Sequence, residues 1–146
     1  MLRVHRGNFL YAMGRIRQKL FAFLEAELAR ENIEGITPSY GDILYLLERK
    51  GSVNLNEVSR LSLKDKSTVT NIVNHLEETG YIVKERDGED RRKINIRLTD
   101  KAERFNPVMV RISRKMNSKI FEGLNEDEKV QLFSLMTRIS RNVEEL

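Results

Sequence analysis

The chain has 146 residues, enough for a hydrophobic core without metal or disulfide staples, and its 40% hydrophobic and 33% charged content marks a globular protein rather than a disordered one. Cysteine is absent, which excludes disulfides, thiol catalysis, thiolate metal sites and thiol-based redox sensing together. The net charge of +4 suits an anionic partner without specifying one.

Residues 1–7 contain no apolar run of signal-peptide length, and nowhere do about 18 apolar residues follow one another. A cytoplasmic location with no membrane partner is expected. Phe9, Met13, Ile16, Leu20, Leu24 and Leu28 recur at three- and four-residue spacing and predict a long amphipathic helix over 8–31. Thr37 and Pro38 supply an N-cap and a first-turn proline for a second helix, with Ile43, Leu44 and Leu47 facing inward and Gly51 at its left-handed end. Asn54 and Glu57 open a short helix over 54–60, three residues apart, so that each can satisfy the other's free backbone N–H.

A tight turn then leads into a helix over 65–78, whose inward stripe is Val69, Ile72, Val73 and Leu76 and whose end is marked by Gly80. Two strands follow, over 81–86 and 93–98, joined by Asp87-Gly88-Glu89-Asp90-Arg91-Arg92-Lys93. In the second strand Ile94, Ile96 and Leu98 alternate with Lys93, Asn95 and Arg97, giving one buried face and one polar, largely cationic face. Thr99 caps the next helix, which carries Phe105, Met109, Ile112, Met116 and Ile120 on one stripe. Pro107 lies inside that stripe and is expected to bend the helix or restart it. Gly123 ends the segment, Asn125 and Glu128 repeat the reciprocal cap, and Phe133, Met136, Ile139 and Val143 mark a final helix.

The expected fold class is mainly α with a small β-hairpin wing: a winged helix-turn-helix over 36–99, flanked by dimerisation helices over 8–31 and 100–146 of a single chain. The terminal stripes find partners in each other and in a second copy, or else serve as ordinary intrachain core.

A helix-turn-helix followed by a wing places one helix in a DNA major groove and a cationic tip beside it. The inward stripe of the 65–78 helix leaves Lys66, Ser67, Thr68, Thr70, Asn71, Asn74 and His75 outward or at the margins. Short hydroxyl and amide side chains there can bond phosphates or base edges, and the positive end of the helix dipole favours a phosphate near Lys66 and Ser67. At the wing tip, Arg91 and Arg92 stand among carboxylates. The two-residue spacing of Asp90 and Arg92 lets the carboxylate hold the guanidinium for a narrow minor groove. Lys64, Lys66, Lys84, Arg86, Arg91, Arg92, Lys93 and Arg97 form a cationic set around this lobe. The bland counterpart of both features is a solvated polar face and a surface turn with incidental charge pairs.

Four runs carry a family resemblance: Ile36-Thr37-Pro38; Leu61-Ser62-Leu63-Lys64-Asp65-Lys66-Ser67-Thr68-Val69-Thr70; Leu76-Glu77-Glu78-Thr79-Gly80-Tyr81-Ile82; and Asp90-Arg91-Arg92 with Leu98-Thr99-Asp100-Lys101 after it. In order and spacing the chain resembles the MarR family of repressors over nearly its whole length. The resemblance implies a homodimer on near-palindromic double-stranded DNA, with the recognition helix in the major groove and Arg92 in the minor groove. It also implies release from DNA by a small aromatic or phenolic effector. The chain departs from the family at Asn71 and His75, where arginine is frequent; Asn71 can instead bond adenine, which points to an A·T-leaning operator. Tyr11, Tyr40 and Tyr45 are the candidate effector contacts, their alternative role being core tyrosines with hydroxyls at the rim.

An enzyme is not expected. His5 and His75 are the only histidines, no glycine-rich phosphate loop occurs, and neither a cofactor nor a metal site is suggested. The competing reading is a winged-helix module that grips another protein, against which stands the cationic rather than apolar surface of the lobe.

Overall fold

Apolar spacing translates directly into helices. The computed structural model describes residues 3–62, 64–88, 90 and 93–144. Its elements run α1 (Phe9–Arg30), α2 (Gly41–Lys50), β1 (Ser52–Asn54), α3 (Leu55–Ser62), α4 (Lys66–Glu78), β2 (Ile82–Arg86), β3 (Ile94–Leu98), α5 (Asp100–Ile120) and α6 (Glu126–Glu144). No helix of the described residues is long and apolar enough to cross a membrane. The chain divides into two compact units, Met1–Ile112 and Ser113–Leu146.

The core of the first unit lies where α2, α3 and α4 meet the sheet. Ile43 and Leu47 of α2, Val58 of α3, Val69, Val73 and Leu76 of α4 and Ile96 of β3 are all fully buried. Burial of each such side chain contributes about 1.5–3 kcal/mol relative to exposure. Phe105, Val108 and Met109 of α5 pack against the same cluster. The four positions assigned to the inward stripe of α4 are all buried, so its opposite face is left for other work.

The sheet has three strands, in the order β1-β3-β2, all antiparallel. The sequence reading has only the β2–β3 hairpin. The third strand is the three residues Ser52–Asn54, with Val53 paired opposite Ile96 and both buried. A strand this short has no alternation to detect; only pairing with β3 makes it one. Ile94, assigned to the buried face, pairs with Arg86 at the far end of the ladder and is exposed there, beyond reach of the helices.

Several end signals behave differently from expectation. Asn54 accepts from the backbone N–H of Asn56, while Glu57 reaches Lys50 at 2.6 Å, so the reciprocal cap at α3 does not form. The lysine offers the carboxylate a full charge, which a backbone N–H does not. Thr37 makes no side-chain cap; its hydroxyl pairs with Ser39, and Pro38–Tyr40 form a 3-10 turn ahead of α2. Helix α5 does not restart at Pro107, which sits inside the continuous span Asp100–Ile120. Core contacts on both sides of the proline outweigh the one lost backbone bond.

The end of α4 follows expectation closely. Gly80 takes φ +78°, its N–H bonds Glu77 O, and the N–H of Tyr81 bonds Leu76 O, the pairing that satisfies the last carbonyls of a helix. In the second unit, Asn125 and Glu128 do cap α6 reciprocally, at 2.8 and 2.9 Å. Phe121 and Phe133 meet edge to face with centroids 5.6 Å apart.

Candidate nucleic-acid interface

Helix α4 begins at a carboxylate. Asp65 accepts from the amide of Thr68 at 2.8 Å, the hydroxyl of Ser67 at 2.7 Å and the hydroxyl of Thr68 at 2.5 Å. Those bonds, the Thr68 hydroxyl first, hold its carboxyl well below the usual carboxylate range. The Thr68 amide at the helix start is thereby capped, and a carboxylate stands beside the position expected to favour a phosphate. Ser67 and Thr68 keep only lone pairs to offer.

Further along the outward face the remaining candidates separate. Thr70 donates its hydroxyl proton to Lys66 O at 2.7 Å. Asn71 is exposed and makes no side-chain hydrogen bond among the described residues. The Oδ1 of Asn74 accepts from Lys84 Nζ at 2.6 Å. His75 packs edge to face on Tyr40, ring centroids 5.8 Å apart, and is a margin residue rather than a free reader.

The wing is built on Asp87. Its Oδ1 accepts from the N–H of Asp90 at 3.0 Å and its Oδ2 from the amide of Asn95 at 2.9 Å. Asp87 N–H bonds Lys93 O, and Lys93 N–H bonds Asp90 O. Asp87 and Asn95 therefore shape the loop, roles the sequence reading did not assign; an aspartate ahead of glycine at a strand end is the signal that could have found the first. Arg91 and Arg92, and with them the expected Asp90–Arg92 pair, lie outside the described residues.

The cationic set is smaller than it looks in sequence. Lys64 is paired with Asp42, Lys84 with Glu77, and Arg97 with Glu85. Lys66, Arg86 and Lys93 are the members that form no ion pair among the described residues. Opposite charge from α2, α4 and β2 accounts for the difference, and linear sequence does not show which carboxylates come near.

The three tyrosines have different surroundings. Tyr11 and Tyr45 are each 60% exposed, beside Arg15 and Arg49 of their own helices, and Tyr40 is taken up by His75. A cavity of about 320 Å³ in the first unit is lined instead by Glu25, Leu28, Asn32, Ile33, Glu34 and Thr37 among others, and by none of the tyrosines.

Comparison with known proteins gives this arrangement a context. A family model described as the MarR family matches residues 34–93. The uncharacterized HTH-type transcriptional regulator YkoM of Bacillus subtilis is 29% identical over 136 residues, covering 92% of this chain and 86% of that one. Among solved structures, a MarR protein from Peptoclostridium difficile superimposes with a TM-score of 0.85 at 21% identity, over 99% of this chain and 93% of that one. Bordetella bronchiseptica BpsR, whose DNA binding is regulated by 6-hydroxynicotinic acid, gives 0.75 at 23% identity, over 89% and 96%.

Proposed function

We propose that the chain is a winged helix-turn-helix transcriptional regulator of the MarR family, a homodimeric repressor on near-palindromic DNA, released by a small aromatic or phenolic acid. The observation that carries this reading is the division of α4 into two faces. Val69, Ile72, Val73 and Leu76 are buried, while Ser67, Asn71 and Asn74 form an exposed polar stripe with no apolar anchor for a protein partner. Short polar side chains let a helix sit deep in a major groove.

Dimerisation is supported by apolar side chains that the chain leaves uncovered. Phe9, Leu10 and Ile16 of α1 are exposed, as are Val130, Phe133, Met136 and Val143 of α6. Exposed apolar side chains on each helix call for a partner. The effector is supported by the likeness in fold to BpsR, which responds to an aromatic acid.

The test is fluorescence anisotropy on a promoter fragment from the gene's own neighbourhood. If a dimer neutralises on the order of eight phosphates, log affinity falls with a slope of roughly −7 against log salt. Arg92→Ala weakens binding strongly with the dimer intact, and in the DNA-bound form the two α4 helices sit about 34 Å apart. A slope near zero would remove DNA from the function.

A further inference from the structure

Bonds already made on the outward face of α4 decide what each side chain can offer a base pair. The hydroxyls of Ser67 and Thr70 are committed as donors, to Asp65 and to Lys66 O. Asn71 has both ends of its amide open among the described residues. Asn74 does not: its Oδ1 lies 2.6 Å from Lys84 Nζ. An ammonium has three protons and no lone pair, so the amide atom beside it has to be the oxygen. The other end, Nδ2, makes no hydrogen bond among the described residues. The Lys84 ammonium is itself anchored on its other side by the Glu77 carboxylate, also at 2.6 Å. A strand of the wing thus sets the orientation of an amide on the helix.

Building on the reading of α4 as the groove helix, we propose that Lys84 is a positioning residue that turns the Asn74 amide so that its donor end, Nδ2, meets the base. It selects a base whose major-groove edge offers acceptors alone: the O6/N7 edge of guanine, or O4 of thymine. Cytosine presents an amino group there, and adenine an amino group beside its acceptor, so both set donor against donor. Asn71, open at both ends, is left as the residue able to bond adenine bidentately. The two asparagines, three apart on one stripe, read different edges because Lys84 holds the oxygen of one of them.

The full-length protein and its variants are carried through selection from a random duplex library. Asn74→Ala and Asn71→Ala each mark the base pair read by that residue, by erasing the preference there. Lys84→Met is expected to cut the preference at the Asn74 pair from about tenfold to less than about twofold, leaving the Asn71 pair unchanged. Lys84→Arg, whose guanidinium also only donates, retains it. A purely structural or purely electrostatic lysine would weaken binding to all sequences alike, and that result for Lys84→Met, with every preference intact, overturns the proposal. A wild-type protein that enriches no sequence overturns the DNA reading of α4, and this inference with it.

Discussion

Lys84 on β2 and Glu77 in the last turn of α4 form an ion pair at 2.6 Å, joining the wing to the helix beside it. The pair is partly exposed, with about a quarter of the lysine side chain and two fifths of the glutamate side chain open to solvent, so its weight in stability is small, roughly 0–1 kcal/mol. Its weight in binding is larger. Glu77 cancels a cation at the surface assigned to DNA. Glu77→Gln keeps the Lys84–Asn74 bond and frees the charge: the salt slope of DNA binding steepens by about 0.9, the increment for one more phosphate. An unchanged slope would place Lys84 out of reach of the backbone.

Gly35 is the most closely packed of the glycines. It has φ +78°, and a Cβ there would lie 2.7 Å from Thr79 Cγ2 and 2.9 Å from Thr79 Cβ. Both the conformation and the contact oppose any side chain, and the neighbouring Glu34 carbonyl already accepts from the buried Tyr81 hydroxyl at 2.8 Å. Gly35→Ala is therefore expected to lower unfolding free energy by more than about 1 kcal/mol. Thr79→Ala recovers only part of this, because its Cβ remains. Urea denaturation reads both, and a Gly35→Ala midpoint equal to that of the wild type contradicts the packing described.

Asp65 predicts a pH dependence of definite sign. Its carboxyl is held below its ordinary value of 3.8 by the Thr68 hydroxyl, the Ser67 hydroxyl and the Thr68 amide. A depressed carboxylate stabilises the fold fully above the ordinary value, and the contribution is lost as pH falls below it toward the folded-state value. Asp65→Ala should thus be less stable than the wild type at pH 7, with the gap in Tm narrowing below about pH 4. Melting followed by circular dichroism at a series of pH values checks this; a constant gap would assign the stabilisation to something other than the carboxylate.

The uncovered stripe of α6 bears on assembly. Met136 and Val143 are 41% and 57% exposed. Replacing both by glutamate is expected to convert a dimer into a monomer in sedimentation velocity with helical content preserved, since neither contributes to the core of its own chain. A dimer that survives the double change would show that another face holds the copies together.

What the sequence determined alone was everything that depends on local period and local end signals. The inward stripe of α4, the Gly80 termination and the Asn125–Glu128 cap are all legible because helical spacing and capping are short-range physics, complete within a few residues. Tertiary structure decided what required distant parts of the chain to meet. Ser52–Asn54 becomes a strand only because β3 pairs with it, and Glu57 abandons its cap because Lys50 is close enough to bond. The same holds at the candidate site. Asp42, Glu77 and Glu85 neutralise lysines and an arginine that the sequence presents as free, and Lys84 holds the amide oxygen of Asn74 ten residues away. Charges and hydrogen-bonding groups act through space, so which of them remain available to a partner is settled only once the chain has folded.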